Sequence, residues 1–210
     1  MTEKIFFMLN SHECISIELD SSLRDIHCCY SALVYFVKNQ ERYLISEDVI
    51  RENISLLKNQ LMKALNNNLL LDFSINNSNI GYLHTKYLFS RYNEVPFNKE
   101  ELIVKNNIWV GHKYHVWGDG FGGDFTLWIY NNQVGEIILE ITPTFTAEYF
   151  LPDETPNFDE YERWMENYEP LLKRIIPKEI AQQWLDQTNT ILKQIEENIA
   201  RFEKENTNEI

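Results

Sequence analysis

The chain has 210 residues, of which 44% are hydrophobic and 13% aromatic, enough to bury a substantial core and too apolar for a disordered segment. Its formal charge of −13 argues against nucleic acid as a ligand, because phosphate contacts need clustered Lys and Arg. No apolar run approaches the roughly 20 residues that span a bilayer.

The first apolar run, Ile5 to Leu9, is short and has no small-residue cleavage site after it. It reads as a strand rather than a signal peptide. "KIFFML" and "CISIEL" form two strands joined by a turn at Asn10–Glu13. "IHCCYSALVYFV" (26–37) is a long strand, and "RYLISED" pairs with it. Ser46, followed by Glu47 and Asp48, predicts a helix start: a hydroxyl cap with acids at the positive end of the dipole. Ile50, Ile54, Leu57, Leu61 and Leu65 then repeat at helical spacing, and "NNN" at 66–68 ends the helix. A second, shorter helix is predicted over 79–92, with Ile80, Leu83, Tyr87 and Arg91 on one face.

The polar stretch "NEVPFNKEE" around Pro96 is the weak candidate for a sub-boundary, near 93–102. A meander follows: "NIWVGHKYHVWG", "DFTLWIYNN" and "VGEIILEITP", with turns at 118–123 and 131–135. In the third strand Ile137, Leu139 and Ile141 point one way, Glu136 and Glu140 the other. In the second, Phe125, Leu127 and Ile129 oppose Thr126, Trp128 and Tyr130, so a helix or a partner must cover the second face. Pro152 and Pro156 mark a loop, "FDEYERWMENY" a short helix, and Pro177 opens the last one. Its buried stripe is expected at Ile180, Trp184, Ile191, Ile195, Ile199 and Phe202. The expected fold is α+β, a single domain over 1–210: a mainly antiparallel twisted sheet with helices 46–65 and 178–203 packed on it.

"WGDGFGGDFTLWIY" (117–130) contains G-x-G-x-x-G, with Gly118, Gly120, Gly122 and Gly123. A dinucleotide fingerprint needs a helix after the glycines, yet "DFTLWIY" is β-rich. A P-loop needs Gly-Lys-Ser or Gly-Lys-Thr, but Asp124 follows Gly123. A kinase loop needs a lysine on the next strand, and none occurs between Lys113 and Lys173. Asp119 and Asp124 do not fit an EF-hand. A hairpin turn using positive φ survives.

His112 and His115, three apart in a predicted strand, are expected on opposite faces, unable to share a metal. His12, His27 and His84 lack ligand spacing, and Cys28 beside His27 reads as packed strand rather than nucleophile. Cys14, Cys28 and Cys29 read as buried hydrophobes in a reducing compartment, so the expected location is the cytoplasm. No catalytic, cofactor-binding or metal-ligating residue is assigned.

The window from Glu136 to Glu169 holds ten acids against one base, Arg163, a net −9. Such a field would steer a basic protein partner. Asp153, Glu154 and Asp159 could alternatively hold a metal or work as an acid–base pair. Acids interleaved with Tyr149, Phe150, Phe158, Tyr161 and Trp164 have the composition of a contact surface. Asp153, Glu154, Asp159, Glu160, Tyr161, Glu162, Trp164 and Glu166 are its candidate partner-binding residues, although Tyr161 and Trp164 read equally well as core.

Four segments, "GYLHTKYL" (81–88), "IWVGHKYHVWG" (108–118), "TLWIYNNQVGEIILEITPTF" (126–145) and "YEPLLKRIIPKEIAQQWLDQ" (168–187), together resemble bacterial immunity proteins of polymorphic-toxin and contact-dependent growth inhibition systems. The resemblance covers most of residues 80–200, little before them, and no catalytic signature. It implies a non-enzymatic inhibitor that binds a cognate toxin domain, often a nuclease and therefore basic. The rival expectations are a hydrolase using the 148–166 acids and an adaptor without a toxin partner.

Overall fold

The computed structural model describes residues 3–26, 30–75, 79–92, 104–105, 108–118, 123–145 and 158–207. The fold is α+β, with two four-stranded antiparallel sheets in place of the single sheet expected. The first is a meander of β1 (Glu3–Met8), β2 (Glu13–Leu19), β3 (Ser31–Lys38) and β4 (Glu41–Val49). β3 and β4 are joined by Asn39 and Gln40 at φ 51° and 75°, the two positive φ values of a two-residue hairpin turn. Alternation puts Ile5, Phe7, Ile15, Ile17, Val34, Phe36 and Ile45 on one buried face.

The helix after β4, α1 (Ile50–Leu65), starts later than Ser46 predicts. Ser46, Glu47 and Asp48 pair with Val34, Leu33 and Ala32. Ladder bonding to β3 therefore takes the backbone that the cap would have used. The predicted stripe holds over Ile50, Ile54, Leu57 and Leu61, which are fully buried, while Leu65 at its end is only partly so. The asparagine run stops the helix through Asn67 at φ 59°, whose N–H bonds the Ala64 carbonyl while Asn68 N–H reaches Lys63.

The helix α2 (Ile80–Tyr92) is capped by Asn79, whose Oδ1 accepts the Gly81 N–H at 3.2 Å. Ile80, Leu83 and Tyr87 are buried, whereas Arg91 is exposed and bonds the Tyr87 hydroxyl. The predicted strand over 107–118 is broken. β5 (Val104–Lys105) pairs with β6 (Ile108–Trp109); a 3-10 turn, Val110–Tyr114, follows, then β7 (His115–Trp117). The Trp109 indole lies on Gly111, where a Cβ would strike the ring, so the chain turns instead of extending.

The second sheet has the order β10–β9–β8–β7, with β8 (Phe125–Asn131), β9 (Ile137–Pro143) and β10 (Leu172–Ile176). β10 was not expected from sequence. It pairs Leu172 with Ile141 and Lys173 with Glu140. On one face of the sheet, α1 supplies acceptors to Trp117 Nε1 (Asn53 carbonyl) and Asn131 Nδ2 (Ala64 carbonyl), both at 2.9 Å. α2 covers the other face, with His84 against Trp128 and Gly81 against Thr142. A helix thus fills the place that the aromatic second face of β8 demands.

The two sheets meet where β4 runs beside the β7–β8 turn. Asp124 N–H donates to the Leu44 carbonyl at 3.2 Å, and a Cβ on Gly123 would collide with Ile45 backbone. Gly118 takes φ +82°, the positive φ expected of a turn glycine, whereas Gly123 does not and instead allows a close backbone approach to β4. Asp119, Gly120 and Gly122 lie outside the described residues, as do His27, Cys28, Cys29 and the Pro96 stretch.

A short helix, α3 (Phe158–Glu166), precedes β10, and α4 (Lys178–Thr207) packs along α1 and the first sheet. Trp184, Ile191 and Ile195 are buried and Ile199 partly so, but Phe202, expected in the stripe, is 46% exposed. α4 also seals an edge: Trp184 Nε1 donates to the Met8 carbonyl (3.0 Å) and Gln187 Nε2 to the Phe6 carbonyl (3.1 Å) of β1. Further along, Asn198 Nδ2 donates to the Leu23 and Ile26 carbonyls.

Candidate functional site

Within α3 the sequence alternates acids with aromatics at helical spacing, which gives the helix two unlike faces. Tyr161, Trp164 and Met165, with Tyr168 just past the helix end, turn toward the protein; Phe158 touches Phe89 edge-on but stays exposed, as are Asp159, Glu162 and Glu166. Tyr161 stacks flat on Phe89 of α2, with centroids 3.7 Å apart and planes 9° apart. Phe145 meets both Tyr161 and Trp164 edge-on at 5.6 Å. Trp164 in turn abuts Tyr168 at 5.2 Å. The open choice for Tyr161 and Trp164 therefore resolves toward packing: both rings attach the helix, and neither stands out as a free anchor. Asp159, Glu162 and Glu166 keep the outward orientation expected of a contact surface, with Arg163 among them. Glu160 is half-buried. Asp153, Glu154, Tyr149 and Phe150 lie outside the described residues.

The attachment continues into the sheet. Tyr168 donates its hydroxyl to Asn79 Oδ1 at 3.0 Å, the same oxygen that caps α2. A side chain at Gly81 would strike that hydroxyl and Thr142, so glycine is needed for α2 to reach β9. Burial pushes the Tyr168 phenol far above its usual range, with bonding to Thr142 opposing and the charge of Glu140 adding to the shift. Glu140 itself is fully buried. It accepts a 2.5 Å bond from the Tyr130 hydroxyl and an ion pair from Lys173 Nζ at 3.1 Å, leaving Oε1 without a hydrogen-bond partner among the described residues. Burial first, then Glu140, drives the Tyr130 phenol far upward, so it stays a donor.

Under α2 lies a histidine cluster that the strand reading misses. His84 is buried with its ring 4.9 Å from Trp128, 5.5 Å from Trp109, 5.8 Å from His112 and 6.2 Å from His115. The 3-10 turn brings His112 and His115 to the same neighbour, which corrects their expected opposite-face placement. Burial first, then His115 and His112, holds the His84 imidazole well below the usual histidine range. The cluster is packed by aromatic rings. Among the described residues, no group of three or more His, Cys, Asp or Glu is placed to hold a metal ion. Nor is any helix among them long and apolar enough to cross a membrane.

The four segments that carry the resemblance correspond to α2, the 3-10 turn with β7, the β8–β9 hairpin, and β10 with the start of α4; β7 to β10 form the second sheet and α2 lies on one of its faces. Comparison with protein-family models, with curated proteins and with solved structures gives no match.

Proposed function

We propose that this chain is an immunity protein: a cytoplasmic, non-enzymatic inhibitor that binds a basic toxin domain, a nuclease by charge, through the outer face of α3. The observation that carries the reading is the division of α3. Its aromatic row is clamped on Phe89 and Phe145, so Asp159, Glu162 and Glu166 are presented on a fixed support rather than a loose loop. Charges arranged this way act chiefly on the rate of encounter. The net −9 of the surrounding window complements a phosphate-binding partner. The resemblance of residues 80–200 to immunity proteins points to the same partner class.

The test is surface plasmon resonance against the toxin domain encoded beside the gene. Replacing Asp153, Glu154, Asp159, Glu160 and Glu162 by amides should slow association, and the deficit should shrink as salt rises, since screening acts over about 8 Å at physiological ionic strength. Equal association rates at every salt concentration would remove the acidic face from the interface. Turnover lost through a single acid, with no protein complex affected, would favour a hydrolase instead.

A further inference from the structure

α3 also forms one wall of a groove. Tyr82, Lys86, Tyr161, Glu162, Met165 and Glu166 enclose about 460 Å³ between α2 and α3, within the roughly 300–1,000 Å³ common for ligand pockets. The walls are two tyrosine rings and a thioether, with two carboxylates at the side of α3. Neither ring is free to swing. Tyr161 is stacked on Phe89, and Tyr82 meets Tyr168 edge-on at 5.7 Å. Burial, reinforced by Tyr82, keeps the Tyr161 phenol protonated far above neutral pH. Glu162 and Glu166 bring the acidic groups of the groove, beside electron-rich ring faces.

We propose that this groove receives an arginine side chain of the protein partner, its guanidinium lying against the tyrosines and facing Glu162 and Glu166. The inference rests on the reading of α3 as a docking surface and names the group that surface takes. Two carboxylates against one lysine leave a single negative charge, which one guanidinium balances. Aromatic walls favour a flat, weakly hydrated cation over a compact ammonium, and the paired donors of arginine suit carboxylates. Met165 adds a polarizable surface that adapts to the aliphatic stem.

The full-length protein, labelled at its methionine methyl groups and tyrosine rings, is titrated by NMR with Nα-acetyl-arginine amide. Parallel titrations use the lysine and norleucine analogues. The Met165 methyl and Tyr161 ring signals should shift saturably with the arginine probe, with a Kd of about 10 mM or tighter. The lysine probe should bind more weakly, and the norleucine probe should leave both signals in place. The E162Q/E166Q variant, changed only at exposed positions, should keep its melting temperature and bind the arginine probe about tenfold more weakly. Equal shifts with norleucine, no shifts with arginine, or unchanged affinity in E162Q/E166Q would each overturn the groove assignment. The toxin-binding measurement is separate. A toxin domain that binds through α3 while the arginine probe leaves the groove signals unmoved sinks only the groove. A probe that binds while no toxin domain does so sinks the α3 reading, and with it the assignment of the arginine to a partner.

Discussion

Acidification should find His84 before it finds any of the paired carboxylates. In the folded protein this imidazole is enclosed by Trp109 and Trp128 and faces two further histidines, so burial and those neighbours hold it neutral below the usual range. In the unfolded chain it takes up a proton near pH 6.5. The unfolded state therefore binds more protons once the pH drops below about 6.5, and stability falls with pH from there toward the native value. One proton per molecule sets the slope at about 1.4 kcal/mol per pH unit. Against a total of about 5–15 kcal/mol for a domain, that is a visible loss. The carboxylates act in a lower window. Burial alone would raise Glu13 and Glu18, but Arg174 and Asn10, and Lys4 and Arg42 respectively, outweigh it and pull both below the usual range. Their contribution, full above their unfolded values, is lost only as pH falls through those lowered native ones. Urea unfolding followed by tryptophan fluorescence across about pH 5–8 should show the histidine slope. His84→Phe keeps a ring in the site and removes its titration. The difference in stability between the two proteins should then change by about 1.4 kcal/mol per unit below pH 6.5 and stay flat above it. Parallel curves throughout that range would show that His84 is not held neutral, and the packing argument for the cluster would fail.

Other substitutions probe separate parts of the frame. Ile191→Asp puts a charge on the buried face of α4, where Ile191 is 5% exposed, and should unfold the protein or cost several kcal/mol in thermal or urea melts. Gly118→Ala faces a φ of +82° and backbone neighbours in β4 and β8; a loss of at least 1–2 kcal/mol is expected on strain alone, at about that cost for a non-glycine residue. Gln40→Gly relieves positive φ in the β3–β4 hairpin and should raise stability by about 1 kcal/mol in urea titrations. Tyr130→Phe takes the 2.5 Å donor from a buried carboxylate that has no partner at Oε1 among the described residues, and should cost about 1–3 kcal/mol.

Periodicity made much of the frame legible. The α1 stripe, the alternation in β8 and β9, and the hairpin β1–β2 depend on spacing within one element, and spacing is what a sequence displays. The failures share a non-local cause. Ser46 has the chemistry of a cap, yet β3 competes for its backbone. Leu172–Ile176 shows no alternation, and only the neighbouring β9 makes it a strand. The 107–118 run looks extended until Trp109 folds over Gly111. That single turn decides where His112 points, so the histidine cluster was hidden with it. The α3 helix and its acids could be read directly. Which way Tyr161 and Trp164 faced could not, because the answer lies in Phe89 and Phe145 on distant segments.

The seal on the edge of β1 bears on how the chain is made. Its two side-chain donors lie 176 and 181 residues downstream of the carbonyls they reach. A ribosome releases the first sheet long before α4 exists. During that interval β1 offers unpaired carbonyls flanked by Phe6 and Met8, both nearly half exposed even in the finished fold, and bare edges of this kind recruit other strands. Contacts so far apart in sequence also form late and close slowly. A chain cut before residue 178 loses both this edge seal and the apolar cover that α4 lays on α1, so it should be prone to aggregation, and supplying the missing helix as a separate peptide should suppress that aggregation.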